Sequence, residues 1–335
     1  MKQKLLLRSY VLISAALLVA AATSLAVGTG SLSEPELRDT FLSLRGYRLA
    51  ASFLAGSALA VGGVLVQGLF RNPLASPSVL GTTAGANLGG QLALVFWDWF
   101  GHAVMPGSRA LFLPEMILPF GCLLGAMLAL SVLLAFLRVT QDLLALLLVG
   151  FILSSLFLSL SSFLTTLSQD SWELGRAVVA FALGSVSGAG PRQLLFALPL
   201  LGFGLAAAFS WSRPLDLLLS GEEEAASLGV EVRQVRLWIA VWVSVLVAAA
   251  VSLGGSLSFV GLVVPHVLRP FVGVSHRALL PACLLAGGAF VVVCDVITRA
   301  LPTQGEVPLG VVTGLVGAPV FLVLLLRTRS EESLE

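Results

Sequence analysis

Residues 67–91 read QGLFRNPLASPSVLGTTAGANLGGQ. This stretch interrupts two apolar runs with an Arg71-Asn72-Pro73-Leu74 turn, a second proline at Pro77 and a series of glycines. Pro73 has no amide hydrogen and biases Asn72 away from helix, so the first run must end here. The surrounding chain is 57% hydrophobic and 11% charged, with mean hydropathy +1.00. Soluble domains carry about 25% charged residues. In a bilayer, non-helical backbone persists only where protein covers it or where it lines a watery cavity. The break therefore belongs at a membrane face or on a path through the membrane.

A spanning helix needs roughly 20 apolar residues. Ten candidate spans follow, at about 10–28, 49–69, 79–97, 113–136, 143–166, 193–210, 237–253, 256–271, 279–297 and 308–326. The short pair meeting at 254–256 can be misread as one long helix. The expected fold is all-α: a polytopic membrane protein of about ten transmembrane helices, one membrane domain over 1–335 with no soluble domain. Lys2, Lys4 and Arg8 precede the first span, as in a signal peptide. That span exceeds the roughly 7–15 residues of a signal core, so it reads as an uncleaved helix. With the N-terminus inside and ten alternating helices, twelve of the 19 Lys and Arg residues fall inside and seven outside. This obeys the positive-inside bias and puts both termini in the cytoplasm.

Several chemistries are excluded. Lys2 and Lys4 are the only lysines, so no P-loop can be built and the chain is not expected to hydrolyse ATP. Cys122, Cys283 and Cys294 fall in apolar spans without ligand spacing, and they read as small buried hydrophobes. His102, His266 and His276 form no cluster. No catalytic triad or paired carboxylate stands out. The expectation is no enzyme, no metal site, no cofactor and no nucleic-acid partner.

The cytoplasmic segment 211–236 reads WSRPLDLLLSGEEEAASLGVEVRQVR. Glu222, Glu223 and Glu224 suit the first turn of a short helix, where the macrodipole favours acids. Ala225, Ala226 and Leu228 give it a small apolar face, and Gly229 suits a C-terminal cap. Such a helix is either a solvated linker or a docking knob. In the fifth span, Ser155, Ser159, Ser162 and Thr166 share one helical face. Small hydroxyl residues there either let helices pack closely or line a path. Arg45, Arg48 and Arg299 sit at outer helix ends, where arginines snorkel and anchor. Asp295, one turn before Arg299, permits a local ion pair.

Four separated motifs resemble those of the permease subunits of ABC importers for iron–siderophore, haem and vitamin B12. They are Arg71-Asn72-Pro73-Leu74 through Gly85-Ala86; Leu217 to Gly229; Gly261-Leu262-Val263-Val264-Pro265-His266 with Arg269 and His276-Arg277; and Glu306-Val307-Pro308-Leu309-Gly310 with Gly317-Ala318-Pro319. They occur in family order and span about Arg45 to Arg327.

The resemblance implies a ten-helix subunit in the bacterial inner membrane that pairs with a second copy of itself, with the path on the two-fold axis. Two ATP-binding cassette ATPase subunits would dock inside and a substrate-binding protein outside. It implies a cytoplasmic gate at Asn72 and Leu74, where the bland alternative is an ordinary interfacial turn. It implies an ATPase-coupling segment at about 214–232 using Leu219, Gly221, Glu222, Ala225, Ala226, Leu228 and Gly229. It places the fifth helix beside the path, favouring a lining role for Ser155, Ser159, Ser162 and Thr166. It assigns Arg45, Arg48 and Arg299 to binding-protein docking. Two places depart from the pattern. Arg45-Gly46-Tyr47-Arg48 lacks the family's proline, and Thr140-Gln141-Asp142-Leu143-Leu144 is unlike relatives that carry small hydroxyl residues nearer Gly150, which puts a Ser/Thr inner gate there in doubt. The function expected is ATP-driven import of a metal chelate such as an Fe(III)-siderophore, with vitamin B12 or haem as the alternative cargo. A secondary transporter without an ATPase is the rival class, but it would be expected to show central charges.

Overall fold

The computed structural model describes residues 2–28, 35–103, 114–137, 143–301 and 306–332. The helices are α1 (Lys2–Ala26), α2 (Pro35–Leu69), α3 (Thr82–Ala103), α4 (Pro114–Leu137), α5 (Leu143–Leu167), α6 (Trp172–Leu183), α7 (Pro191–Ser210), α8 (Ser212–Leu218), α9 (Glu222–Ser227), α10 (Val232–Gly254), α11 (Val260–Val272), α12 (His276–Ala300) and α13 (Leu309–Glu332). Each of the ten expected spans coincides with one of them. α6, α8 and α9 are the additions. Seven are long and apolar enough to cross a membrane alone: α1, α2, α4, α5, α7, α10 and α12. α11 and α13 carry shorter apolar stretches. α3 carries Asn87, Gln91 and Asp98 and lies outside that set.

Two boundaries differ from expectation. α2 starts at Pro35 rather than near 49, because Glu36–Arg48 continues a helical pattern beyond the apolar run. The 254–256 junction is a real break. Gly255 and Phe259 both hold positive φ, 65° and 66°, so the chain leaves α10 and turns into α11 through five non-helical residues, 255–259. Arg109, Arg138 and the departure at 140–142 lie outside the described residues.

α2 is the hub. It packs against α10, α11 and α12 and touches α7. The approach is close because glycines meet across it. A Cβ added to Gly63 would lie 1.8 Å from the Gly261 oxygen, and one on Gly56 would lie 2.2 Å from that of Gly287. α3 and α4 pair the same way through Gly89 and Gly121. Membrane helices associate by such packing, since lipid is as apolar as leucine and supplies no hydrophobic drive. α2 and α10 are largely buried, whereas α1 and α5 keep most of their surface outward. α1 is nevertheless tied in, since the Tyr10 hydroxyl donates to the Ala278 carbonyl at 2.5 Å.

Polar groups collect at the two ends of this bundle. One end gathers Arg71, Asp216, Glu222, Arg236 and His276. The other gathers Arg45, Arg48, Asp295, Arg299 and Glu306 with the last turn of α1.

Candidate translocation and coupling site

The break after α2 is a built turn. Arg71 takes φ 48°, a left-handed conformation that is uncommon for a residue with a side chain. The Asn72 amide hydrogen returns to the Gln67 carbonyl at 3.1 Å, and the Asn72 side-chain oxygen accepts from the Leu74 amide at 2.9 Å. That Asx turn satisfies backbone groups that Pro73 prevents from continuing as helix. Leu74 is 44% exposed. Pro77 then opens a single 3-10 turn, Pro77–Leu80, closed by Gly81 at φ 77°. Proline at a first helical position costs nothing there, because that amide has no helical partner.

Behind the break lies a cavity of about 280 Å³ between this turn, α3, α5 and the 255–259 loop. Its polar lining includes Ser76, Ser78, Asn87, Ser154, Ser161 and Ser258, without an acid or a base. The Asn87 side-chain oxygen and the Ser161 hydroxyl are buried without a protein partner. Buried polar atoms are normally satisfied, so two such atoms on residues of the cavity wall are exceptions to the usual pattern. Ser154 bridges the two walls by donating to the Ser78 carbonyl at 3.0 Å.

The hydroxyl face expected of α5 is adjacent to this wall rather than on it. Ser155, Ser159, Ser162 and Thr166 are exposed. The Ser155, Ser159 and Thr166 hydroxyls donate back to carbonyls four residues earlier. The cavity instead receives Ser154, Leu158 and Ser161, one residue round the helix. Sequence periodicity identifies faces but cannot say which one meets the cavity.

Residues 212–227 fold as two short helices. α8 buries Leu215 and Leu218, and Leu219 at its end is 41% exposed. Gly221 at φ 133° then turns the chain into α9. α9 ends in a Schellman motif: the Gly229 amide donates to Ala226 and the Val230 amide to Ala225, both at 3.0 Å, with Gly229 at φ 85°. Ala226, Leu228 and Gly229 are exposed, and Leu228 reaches 65%. Ala225 is fully buried and faces the bundle, so it supports the helix rather than meeting a partner. Glu222 pairs with Arg236 of α10 and lies 3.7 Å from Arg71.

The sequence reading gave Asp216 no role and named His276 only as one residue of a family motif. The Asp216 carboxylate accepts from the His276 amide at 2.7 Å and the Ser275 hydroxyl at 2.9 Å, and it pairs with the His276 ring at 2.7 Å. Burial alone pushes the Asp216 pKa up. The bonds from His276 and Ser275 outweigh that and hold it below the ordinary carboxylate value. A lone aspartate within LDLLL was the available signal, but nothing local tied it to a histidine 60 residues away.

At the far end, the three arginines turn inward. Arg45 is 6% exposed and donates to the carbonyls of Leu25, Ala26 and Gly28, finishing α1. Arg48 pairs with Asp295 at 2.8 Å and Glu306 at 2.7 Å. Arg299 pairs with Asp295 at 2.9 Å and bonds Ser24 and Val27 of the α1 terminus. Asp295 itself is fully buried. The local Asp295–Arg299 pair expected from spacing is thus one edge of a larger cluster.

The FecCD transport family matches residues 5–327. The chain belongs to that family. It is 34% identical to the molybdate import system permease protein MolB of Haemophilus influenzae, over 93% of this chain and 94% of that one. It is 38% identical to the Fe(3+) dicitrate transport system permease protein FecD of Escherichia coli, over 84% and 83%. Other relatives are named for cobalamin and hemin transport. The fold matches a metal-chelate type ABC transporter solved in an inward-facing conformation, with TM-score 0.80 and 33% identity, covering 94% of this chain and 97% of that one. The FecCD chain described here is therefore an ABC transporter permease, a multi-pass membrane transport subunit with the all-helical importer permease fold.

Proposed function

We propose that this permease imports a metal chelate such as an Fe(III)-siderophore across the bacterial inner membrane, with both termini in the cytoplasm. One permease domain, over 1–335, works as a homodimer with two ATP-binding cassette ATPase subunits inside and a substrate-binding protein outside. The observation that carries the reading is the capped α8–α9 segment, which offers exposed Leu219, Ala226, Leu228 and Gly229 next to the Asn-Pro break. A solvated linker needs neither a Schellman cap nor an ion pair back to the break. Gly221 shapes this segment, and Glu222 and Ala225 hold it to the bundle.

Asn72 and Leu74 serve as the cytoplasmic gate in this reading, with Leu74 as the exposed stopper and Asn72 as the residue that holds its turn. The hydroxyl-lined cavity and the neighbouring Ser155, Ser159, Ser162 and Thr166 face form the lining on the α5 side. Arg45, Arg48 and Arg299 serve binding-protein docking by holding the outer ends of α1, α2 and α12 in register, with exposed Glu306 at the rim. Vitamin B12 and haem remain alternative cargoes, joined by an oxyanion of the kind named for the Haemophilus relative. The test is assembly. The purified chain alone should show no ATP hydrolysis, and hydrolysis should appear only when it captures a separate ATPase subunit. Hydrolysis by the chain alone, free of contaminants, would overturn the division of labour.

A further inference from the structure

α12 begins without a cap of its own. Ser275 stands at its N-cap position with no side-chain bond to the helix. The missing acceptor comes from α8, whose Asp216 carboxylate takes the His276 amide, the His276 ring and the Ser275 hydroxyl. Carboxylates at a helix N-terminus are favoured by the unpaired amides and the dipole together. Asp216 therefore fixes α8 to the first turn of α12.

His276 carries the connection further. It is 2% exposed, and its Nε2 edge faces Gly68 in the last turn of α2. A Cβ added to Gly68 would fall 2.3 Å from that nitrogen, so only glycine admits the imidazole there. Arg71 and Asn72 hang directly from this turn, their backbone N–H groups donating hydrogen bonds to the carbonyls of Gly68 and Gln67. α8 thus meets the start of α12 and the end of α2 at one buried point, three residues from the break. Glu222 of α9 adds a more exposed second tie to Arg71 and Arg236.

We infer that Asp216 and His276 are positioning residues which clamp the ATPase-facing segment to the Asn-Pro break, so that α8, α9 and residues 71–74 move as one body. The transport side of this inference rests on the function proposed above, whereas the clamp itself stands on geometry within one subunit. A push on α9 is then delivered to Leu74 without being absorbed by the intervening loop. Gly68 is part of the clamp because it makes room for the ring.

The experiment reads both parts. Spin labels are placed on the full-length chain through Leu74→Cys and Ala226→Cys, both exposed, while the native Cys122, Cys283 and Cys294 are buried. The intrasubunit label distance in nanodiscs should be a single narrow distribution. Asp216→Asn and Gly68→Ala should each at least double its width, and Ser275→Ala, which removes one donor of three, should do less. An unchanged width in both Asp216→Asn and Gly68→Ala overturns the clamp. In chains labelled through Leu74→Cys alone, with the partner ATPase bound, Asp216→Asn should retain its affinity for the ATPase within about twofold but lose at least fivefold in the nucleotide-driven change of the Leu74–Leu74 label distance between the two subunits. Loss of ATPase capture itself would place Asp216 in the docking surface and also overturn the claim. Failure of the unmodified chain to capture any ATPase would count against the proposed function, and the distance arm would still judge the clamp.

Discussion

Asp295 offers a quantitative test of how the far end of the bundle is held. Its carboxylate is fully buried and meets Arg48 at 2.8 Å and Arg299 at 2.9 Å. Asp295→Ala strands those two guanidinium groups unequally. Arg48 keeps Glu306 and 13% side-chain exposure, so it is partly compensated. The Arg299 side chain is 3% exposed and keeps the Ser24 and Val27 groups of α1 and the residue-295 backbone carbonyl, with no carboxylate. Removing one partner of a buried pair costs about 3–5 kcal/mol, chiefly through the uncompensated charge left behind. Because one of the two cations retains a partner, the lower end, about 3 kcal/mol, is expected. At roughly 2–4 °C per kcal/mol for domains of a few hundred residues, thermal unfolding of the detergent-purified chain should fall by roughly 6–12 °C. Asp295→Asn, which keeps the volume and one acceptor, should fall by less. Adding Arg299→Met to Asp295→Ala should recover part of the loss, because the stranded charge is then gone. A fall below about 2 °C for Asp295→Ala, or no recovery in the double variant, would mean that water reaches the cluster and that the arginines are not held by Asp295.

Further outcomes follow from the same geometry. Gly229→Arg puts a side chain at φ 85°, which costs about 1–2 kcal/mol locally and projects bulk from an open surface; it should uncouple transport from ATP hydrolysis while membrane insertion stays normal. Unimpaired uptake by a Gly229→Arg protein that still captures its ATPase would remove the coupling role. Cysteines introduced in place of Asn72 or Leu74 should cross-link between the two subunits of a dimer in a nucleotide-dependent way; if they never approach in any nucleotide state, the turn is only a turn. Charge reversal at Glu306 should change the association rate of the binding protein in a salt-sensitive manner with little loss of stability, whereas reversal at Arg48 should lower both, as read by surface binding and thermal unfolding. Asp216 is held below the ordinary carboxylate pKa, so its contribution is complete above about pH 4, the usual range for an unfolded carboxylate, and is lost as pH falls through the lower folded value. The unfolding difference between the unmodified chain and Asp216→Asn should therefore be full at neutral pH and close only in strong acid.

Much of the fold was legible because its signals are local. Apolar length marked ten helices, Pro73 and Pro77 marked the break, and Gly229 marked the end of a helix that has the expected cap. α2 was read too short because its first turns, Pro35–Arg48, mix charged and polar residues with apolar ones and so fall outside the apolar run. The site was legible in part. Asn72 and Leu74 lie at the same end of the bundle as α9, through the Arg71–Glu222 pair. What stayed hidden depends on pairing between distant elements. Arg45, Arg48 and Arg299 read as surface cations until Ser24, Asp295 and Glu306 were brought to them. The cavity-facing side of α5 is set by which neighbour it packs against, and periodicity leaves that choice open. His276 was read as one residue of a motif and as part of no histidine cluster, and its joining of three helices stayed hidden.

ATP-driven uptake tests the central claim most directly. The chain would be reconstituted in liposomes with its ATPase subunit and its binding protein, and accumulation of a labelled ferric siderophore, cobalamin, haem or molybdate would be followed. The account predicts accumulation of one of these only with ATP, the ATPase and the binding protein together, and none when any of the three is missing. Accumulation by the chain alone, driven by a proton or sodium gradient without ATP, would make it a secondary transporter and contradict the account.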